Sequence, residues 1–255
     1  MGIWSSTCWC RHCRARRRRP YVIALLLVII AAGLYIYTHP ETPTVQPGHT
    51  PAARTTRPAA QQHAPAAADP ATTTAGQGVS WVSFHGMQLP VSASAGPRHT
   101  RGGLASGFAD TPQGALLAAI NIGVRTAAQW GTTIFEPTIT GQVTGPNAAA
   151  LLQAEETAYA QLRAAAQAGQ GQAAGQEYAA EAGYRFLAWS PASAVVDVVS
   201  AGPAADGTTV LASTRIQVLW QHGDWRVVAP PGGNWASTAT AITSLTGYMA
   251  FSSER

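Results

Sequence analysis

The side chains able to do chemistry fall in two separate places. Near the start, Cys8, Cys10, His12 and Cys13 put four soft donors within six residues, a spacing able to chelate a thiophilic metal. A structural zinc site draws its ligands from two separated knuckles, and this run offers one, so it reads as membrane-proximal thiols and no metal is expected. These are the chain's 3 cysteines, which leaves the rest of the sequence without a disulfide or a thiolate metal site. Farther along, an active site in a small domain would need a polar group buried deeply enough to shift its pKa. Asp197, His222 and Asp224 are the candidates. Asp197 sits among valines and reads as a solvent-facing strand residue, His222 as a loop residue, and Asp224, beside Gly223, as a turn former. No Gly-rich phosphate loop, Ser/His/Asp arrangement or metal-ligand cluster stands near them. No catalytic, cofactor-binding or metal-binding residue is therefore assigned, no cofactor is implied, and the chain is not expected to be an enzyme.

Charge is as sparse as chemistry. Charged residues make up 11% of the 255, against about a quarter in an ordinary soluble domain. All 16 basic residues are Arg, and the abundance of Ala, Gly, Pro and Thr matches a very GC-rich genome such as an actinobacterial one. Arg11, Arg14, Arg16, Arg17, Arg18 and Arg19 supply six of the positive charges, leaving ten Arg against 12 Asp and Glu beyond residue 19. A body with a net charge of −2 lacks the electrostatic footprint of a nucleic-acid-binding protein, so no direct nucleic-acid contact is expected of it.

Three stretches must position this chemistry. The first, Tyr21 to Tyr37, is an uncharged apolar run that makes about 26 Å of helix, short but sufficient to cross a bilayer. Pro20 suits a first helical turn, Tyr21, Tyr35 and Tyr37 suit the two interfaces, and the Arg cluster fixes residues 1–20 as a cytoplasmic tail that also holds anionic headgroups. Ala31, Ala32 and Gly33 raise the alternative of a cleaved signal peptide. The apolar run continues past them through Leu34, Tyr35, Ile36 and Tyr37, where a peptidase needs an open, polar end, so an uncleaved single-pass anchor at 21–37 fits better. The second stretch, residues 38–78, has Pro at 40, 43, 47, 51, 58, 65 and 70 and almost no large apolar side chain, so it reads as a disordered linker spanning roughly 35 Å as a coil and at most about 125 Å as polyproline II. His39, His49 and His63 are scattered along it without periodic spacing and read as solvated.

The third stretch, residues 79–255, holds six of the 8 Trp and is long enough for one sizeable core. Its entrance around Trp81, Val82 and Phe84 alternates briefly and breaks at Pro90 and Pro97, as an edge strand or packed arm would. Asp110-Thr111-Pro112-Gln113 reads as a helix start with Asp or Thr capping, and Leu116, Ala119, Ile120, Gly123, Val124, Ala127 and Trp130 follow at helical spacing. Glu136-Pro137 and Gly145-Pro146 punctuate a short extended piece. Asn147 then opens a second helix with Leu151, Leu152, Ala158, Tyr159 and Leu162 facing inward and Glu155, Glu156, Gln161 and Arg163 facing outward; residues 167–176 read as its frayed end or a loop. After Gly183 the period changes to two. Tyr184 to Trp189 is interrupted at Ser190-Pro191 as by a bulge or edge, and Val195 to Val199 resumes. Asp206-Gly207 turns into one long strand, Thr208 to Trp220, with Val210, Ala212, Thr214, Ile216, Val218 and Trp220 on one face. A tight hairpin at Gln221-His222-Gly223-Asp224 leads into a last strand from Trp225 to Ala229, and a small helix carrying Ile242, Leu245 and Tyr248 is expected within 234–251. The order is that of an α+β domain with helices on one face of a curved antiparallel sheet, a cone. Trp220, Trp225, Val218 and Val227 read as core or hairpin packing, although a Trp pair near a sheet edge also suits a partner.

Three segments together resemble a known family. Gly107 to Ala119, Tyr184-Arg185-Phe186 with Trp189-Ser190-Pro191, and Trp220 to Val228 resemble actinobacterial membrane proteins of integrative conjugative elements, which are similar to the TcpC-type and VirB-type scaffold subunits of type IV secretion. The resemblance covers roughly residues 79–255, and the layout of Arg-rich tail, single span, Pro/Thr stalk and outer domain extends it to the whole chain. It implies a nuclear transport factor 2-like fold for the outer domain, a cell-membrane location with the C-terminal domain outside, and non-catalytic assembly work. The partners it implies are the membrane, other transfer-channel subunits and further copies of the chain. Two other readings stand beside it: an anchored accessory protein of another envelope complex such as a lipid-import transporter, and a domain holding a small apolar ligand inside the cone.

Overall fold

The computed structural model describes residues 70–167, 179–204 and 207–251. The Cys/His cluster, the Arg tail, the apolar run at 21–37, most of the Pro-rich stretch, residues 168–178, which take in most of the stretch read as a frayed end or a loop, and Asp206 lie outside the described residues. Among the described residues no helix is long and apolar enough to cross a membrane.

The packed body begins before Val79. A one-turn helix, α1 (Pro70–Thr73), leads into a segment laid against the domain, with Thr72, Ala75 and Val79 buried. The Tyr184 hydroxyl fastens it, donating to the Thr73 carbonyl at 2.8 Å and accepting from the Gly76 N–H at 2.8 Å. Gly76 is required by proximity, since a Cβ there would run into the Tyr184 ring. Residues 70–78, expected in the linker, are thus part of the domain. Strands β1 (Ser80–Phe84) and β2 (Met87–Val91) follow as a separate two-stranded hairpin. Its two-residue turn places His85 at φ 51° and Gly86 at φ 92°, the left-handed pair that matches strand twist.

Helix α2 (Pro112–Arg125) starts as the sequence indicates, with Pro112 in the first turn and Thr111, not Asp110, as the cap, its hydroxyl accepting from the Gly114 N–H at 3.1 Å. Every residue from Gly114 to Ile122 is buried. A helix apolar on all sides belongs in a core, and α2 lies between the hairpin β1–β2 and the main sheet. Helix α3 (Thr132–Gln142) carries Pro137 inside it, where punctuation and an extended piece were expected. The proline forfeits one backbone bond, but Ile134, Phe135 and Ile139 reach the core, and their burial outweighs the local penalty. The extended piece shrinks to β3 (Val143–Thr144). Helix α4 (Ala148–Gln167) buries Leu151 fully, and Leu152 and Tyr159 pack partly against the core. Glu155, assigned to its outer side, instead turns inward and accepts from the Ala128 N–H at 2.8 Å.

The main sheet contains β4 (Ala180–Ser190), β5 (Ser193–Pro203), β6 (Thr209–Gln221), β7 (Asp224–Val228), β8 (Ala239–Ile242) and β9 (Met249–Ala250). Its order is β3-β7-β6-β5-β4-β9, with β8 also on β6; all pairings are antiparallel except β3 with β7. Ser190-Pro191 is not a bulge but the tight turn joining β4 to β5, with the Ser193 N–H donating to the Ser190 hydroxyl at 3.1 Å. The β6–β7 turn is the expected hairpin, with His222 at φ 54° and Gly223 at φ 78°. The small helix expected within 234–251 is absent. A 3-10 turn at Trp235–Thr238 leads to β8, which pairs Leu211–Thr214 of β6, and β9 pairs Gly183 and Tyr184 of β4, so the strand ending near Ala229 is not the last. Two-residue alternation places Tyr184, Val196, Ile216, Val218, Trp225 and Val227 on the face covered by the helices, all in one core. The same alternation sends Arg185, Asp197 and Arg215 to the other face. The domain is α+β, helices packed on one side of a curved, predominantly antiparallel sheet.

Candidate functional site

That other face carries the two ion pairs found among the described residues. Arg185, Asp197 and Arg215 occupy matched positions on β4, β5 and β6, a transverse row perpendicular to the strands. Each is flanked along its strand by residues of the opposite face, so the register that buries the valines necessarily lines up these three. Nη2 of Arg185 donates to Oδ2 of Asp197 at 2.8 Å. Nε of Arg215 donates to Oδ1 at 2.9 Å, and its Nη2 reaches Oδ2 at 3.4 Å. The Asp197 side chain is 4% exposed while the two arginines are 41% and 56% exposed. Burial pushes the Asp197 carboxyl up, but the hydrogen bonds and charges of Arg215 and Arg185 outweigh it and hold the group below its ordinary value. The same carboxylate raises the Arg215 guanidinium above its ordinary value.

The chain segment after β7 roofs this row. Tyr248 lays its ring against the Arg185 guanidinium, 4.5 Å from centroid to carbon, and donates from its hydroxyl to Ser213 Oγ at 3.0 Å. Ser237, Thr238, Thr240 and Ile242 complete the wall of an open cleft of about 380 Å³. With two guanidiniums against one carboxylate the cleft carries a net single positive charge. Both Asp197 oxygens are engaged, so it offers no free base, and the arrangement is suited to holding an anion.

The three residues singled out from the sequence are not brought together. Asp197 is buried in the row just described, a correction to its reading as solvent-facing. His222 is exposed at the tip of the β6–β7 turn. Asp224 does more than form that turn: its carboxylate accepts from the N–H groups of Gly107 at 2.8 Å, Phe108 at 3.1 Å and Trp225 at 2.9 Å, pinning the approach to α2 onto the hairpin. Among the described residues the three share no hydrogen-bond partner, and no three His, Cys, Asp or Glu side chains gather as a metal site would require. The residues missed were Arg185, Arg215 and Tyr248. The two arginines were legible as charges out of phase with the apolar positions of their strands; Tyr248 was not, because its place depends on the path of the chain through β8 and β9.

The segments that carry the family resemblance meet at Trp225. Its indole Nε1 donates to the Ala109 carbonyl at 2.8 Å, and its ring packs 5.7 Å from Trp189 and 5.3 Å from Trp220. Trp225, Val218 and Val227 are fully buried and Trp220 partly so. Phe108, Leu116, Ile120 and Trp225 fill the space between helices and sheet.

A second buried polar group lies under the β1–β2 hairpin. Arg125 is 3% exposed, donates to the Asn121 carbonyl at 2.7 Å and its Oδ1 at 3.0 Å, and stacks on the Phe84 ring. Burial lowers its pKa to about 10. Asn121 in turn donates to the Pro90 carbonyl at 2.9 Å, so this network ties hairpin to helix.

No curated protein and no solved structure matches the chain significantly. The family model that does match is described as a domain of unknown function, DUF8175, and it covers residues 41–250, beginning within the Pro-rich stretch and ending at β9. A match over that much of the sequence means that the chain belongs to the DUF8175 family.

Proposed function

We propose that the chain is a non-catalytic, single-pass membrane scaffold or assembly subunit of a conjugative DNA-transfer apparatus of the type IV secretion kind. Residues 21–37 anchor it with the Arg tail in the cytoplasm, the Pro-rich stretch acts as a stalk, and the α+β domain, of the nuclear transport factor 2-like cone type, stands outside. There it docks on other channel subunits or on further copies of itself. The observation that carries the non-catalytic part is the state of the two carboxylates nearest to an active-site role. Asp197 is clasped by two arginines and Asp224 by three backbone N–H groups, so each is spent on holding strands and loops. The assignment to conjugation is supported by the three resembling segments and by the order of tail, apolar run, stalk and domain.

A mating assay with a deletion strain tests it. Transfer is expected to fall by orders of magnitude and to be restored by the full chain but not by a chain lacking residues 1–38. Unchanged transfer on deletion would remove the assignment.

A further inference from the structure

We propose that the cleft on the outer sheet face binds a phosphoryl group, through Arg185 and Arg215 together with the hydroxyls of Ser213 and Thr240. The two guanidiniums flank β5, two strand spacings apart or roughly 9.5 Å between backbones, and both are drawn toward Asp197 at the floor. Arg185 uses Nη2 on Asp197, and Arg215 uses Nε and Nη2. Nη1 of each arginine is left uncommitted, on side chains 41% and 56% exposed. Ser213, 5% exposed, lines the inner wall of the cleft, and its oxygen accepts from Tyr248, which leaves its own proton for a group seated inside the cleft. Thr240 lies across from Ser213 in the β6–β8 register, is exposed, and lines the same cleft. By contrast, Ser237 and Thr238 donate to backbone carbonyls of their own turn and have no proton to give.

The donor set selects the ligand. Four donors approach from two opposite strands and from an adjoining one, around a volume of about 380 Å³. A carboxylate offers only two oxygens, both in one plane, and Asp197 already occupies the floor-facing edges of the two guanidiniums with its own pair. A tetrahedral phosphoryl group presents three oxygens in different directions and can engage both Nη1 groups and both hydroxyls at once. The surplus positive charge of the row meets the negative charge of the ligand, and Tyr248 holds the Arg185 guanidinium in place through its ring, 4.5 Å away, and through its hydroxyl, which accepts from Nη2 at 3.4 Å. A small phosphate ester and a phospholipid headgroup share this chemistry.

The experiment is isothermal titration of the full chain in neutral detergent micelles with inorganic phosphate and with glycerol phosphate, using acetate as the planar comparison. Saturable binding of both phosphates with little or none of acetate is expected. Arg215→Gln should weaken it about tenfold, the loss of one charge-assisted contact. Thr240→Val, an exposed strand position where the substitution leaves the fold intact, should weaken it roughly threefold and serves if Arg215→Gln fails to fold. Adding phosphatidylglycerol to the micelles separates the sources: competition with phosphate assigns a lipid headgroup, and its absence a soluble ester. The proposal is overturned if phosphate does not saturate, if acetate binds as well, or if every folded variant binds as the unaltered chain does.

Discussion

At the scale of single residues, the account turns on carboxylates whose surroundings set their charge. Asp197 is held ionised by Arg215 and Arg185, so its contribution to stability is present above the ordinary carboxylate range and is lost as the pH falls through its lowered folded value. Asp197→Asn leaves two facing guanidiniums without their counterion and should cost about 2 kcal/mol near neutrality, less than for a fully buried pair because the arginines are half exposed. The gap in melting temperature between variant and unaltered chain should begin to narrow near about pH 4 and close as the pH falls further. Glu181 is the opposite case. It is 3% exposed and, among the described residues, accepts only from the Ser200 hydroxyl, at 3.2 Å, and burial pushes its pKa up to about 7. A carboxyl raised in the folded state imposes no penalty below its unfolded value, and the penalty grows as the pH climbs to about 7. Glu181→Gln should therefore stabilise the chain at and above neutrality by up to about 3 kcal/mol and make no difference below about pH 4.5, read from melting curves across that range.

At the scale of elements, α1 and the segment after it hang on one hydroxyl. Tyr184→Phe removes both the acceptor for Gly76 and the donor to Thr73 while leaving the ring packed against Phe251. A loss of about 1–2 kcal/mol is expected, together with faster amide exchange at Gly76 and its neighbours and unchanged exchange in β5 and β6. That segment reads as linker because its residues are Pro, Ala, Thr, Gly and Gln, whose composition is silent about a tyrosine more than a hundred residues away. The elements legible in the sequence were those whose own pattern is strong. The two-residue alternation of 208–220 gives β6, and Thr111-Pro112 gives the start of α2. Where the outcome rests on distant contacts the pattern misled: Pro137 stays helical because Phe135 and Ile139 are buried on either side of it, and β8 and β9 exist only because β6 and β4 offer them edges. The candidate site was half legible for the same reason. Arg185, Asp197 and Arg215 stand out of phase with their apolar neighbours, but which strands lie side by side, and hence that one carboxylate serves two arginines, is a property of the register.

At the scale of the whole molecule, a packed α+β domain follows a Pro-rich stretch, an apolar run and an Arg cluster. The domain's core is continuous, from Val79 just before the hairpin and Leu89 within it through Leu116 and Ile120 to Trp225 and Val227, and its polar cleft faces away from the helices. On the proposed function this body is presented outside the cell by a stalk, and its docking on channel subunits requires that placement. The direct measurement is labelling of intact cells with a membrane-impermeant maleimide. A chain carrying Cys8, Cys10 and Cys13 as its only thiols should react only after the cells are opened. A chain in which those three are replaced by serine and Gln153→Cys puts a thiol on the exposed side of α4 should react at once on intact cells. Labelling of the three native cysteines on intact cells, or protection of the α4 thiol until lysis, would contradict the account.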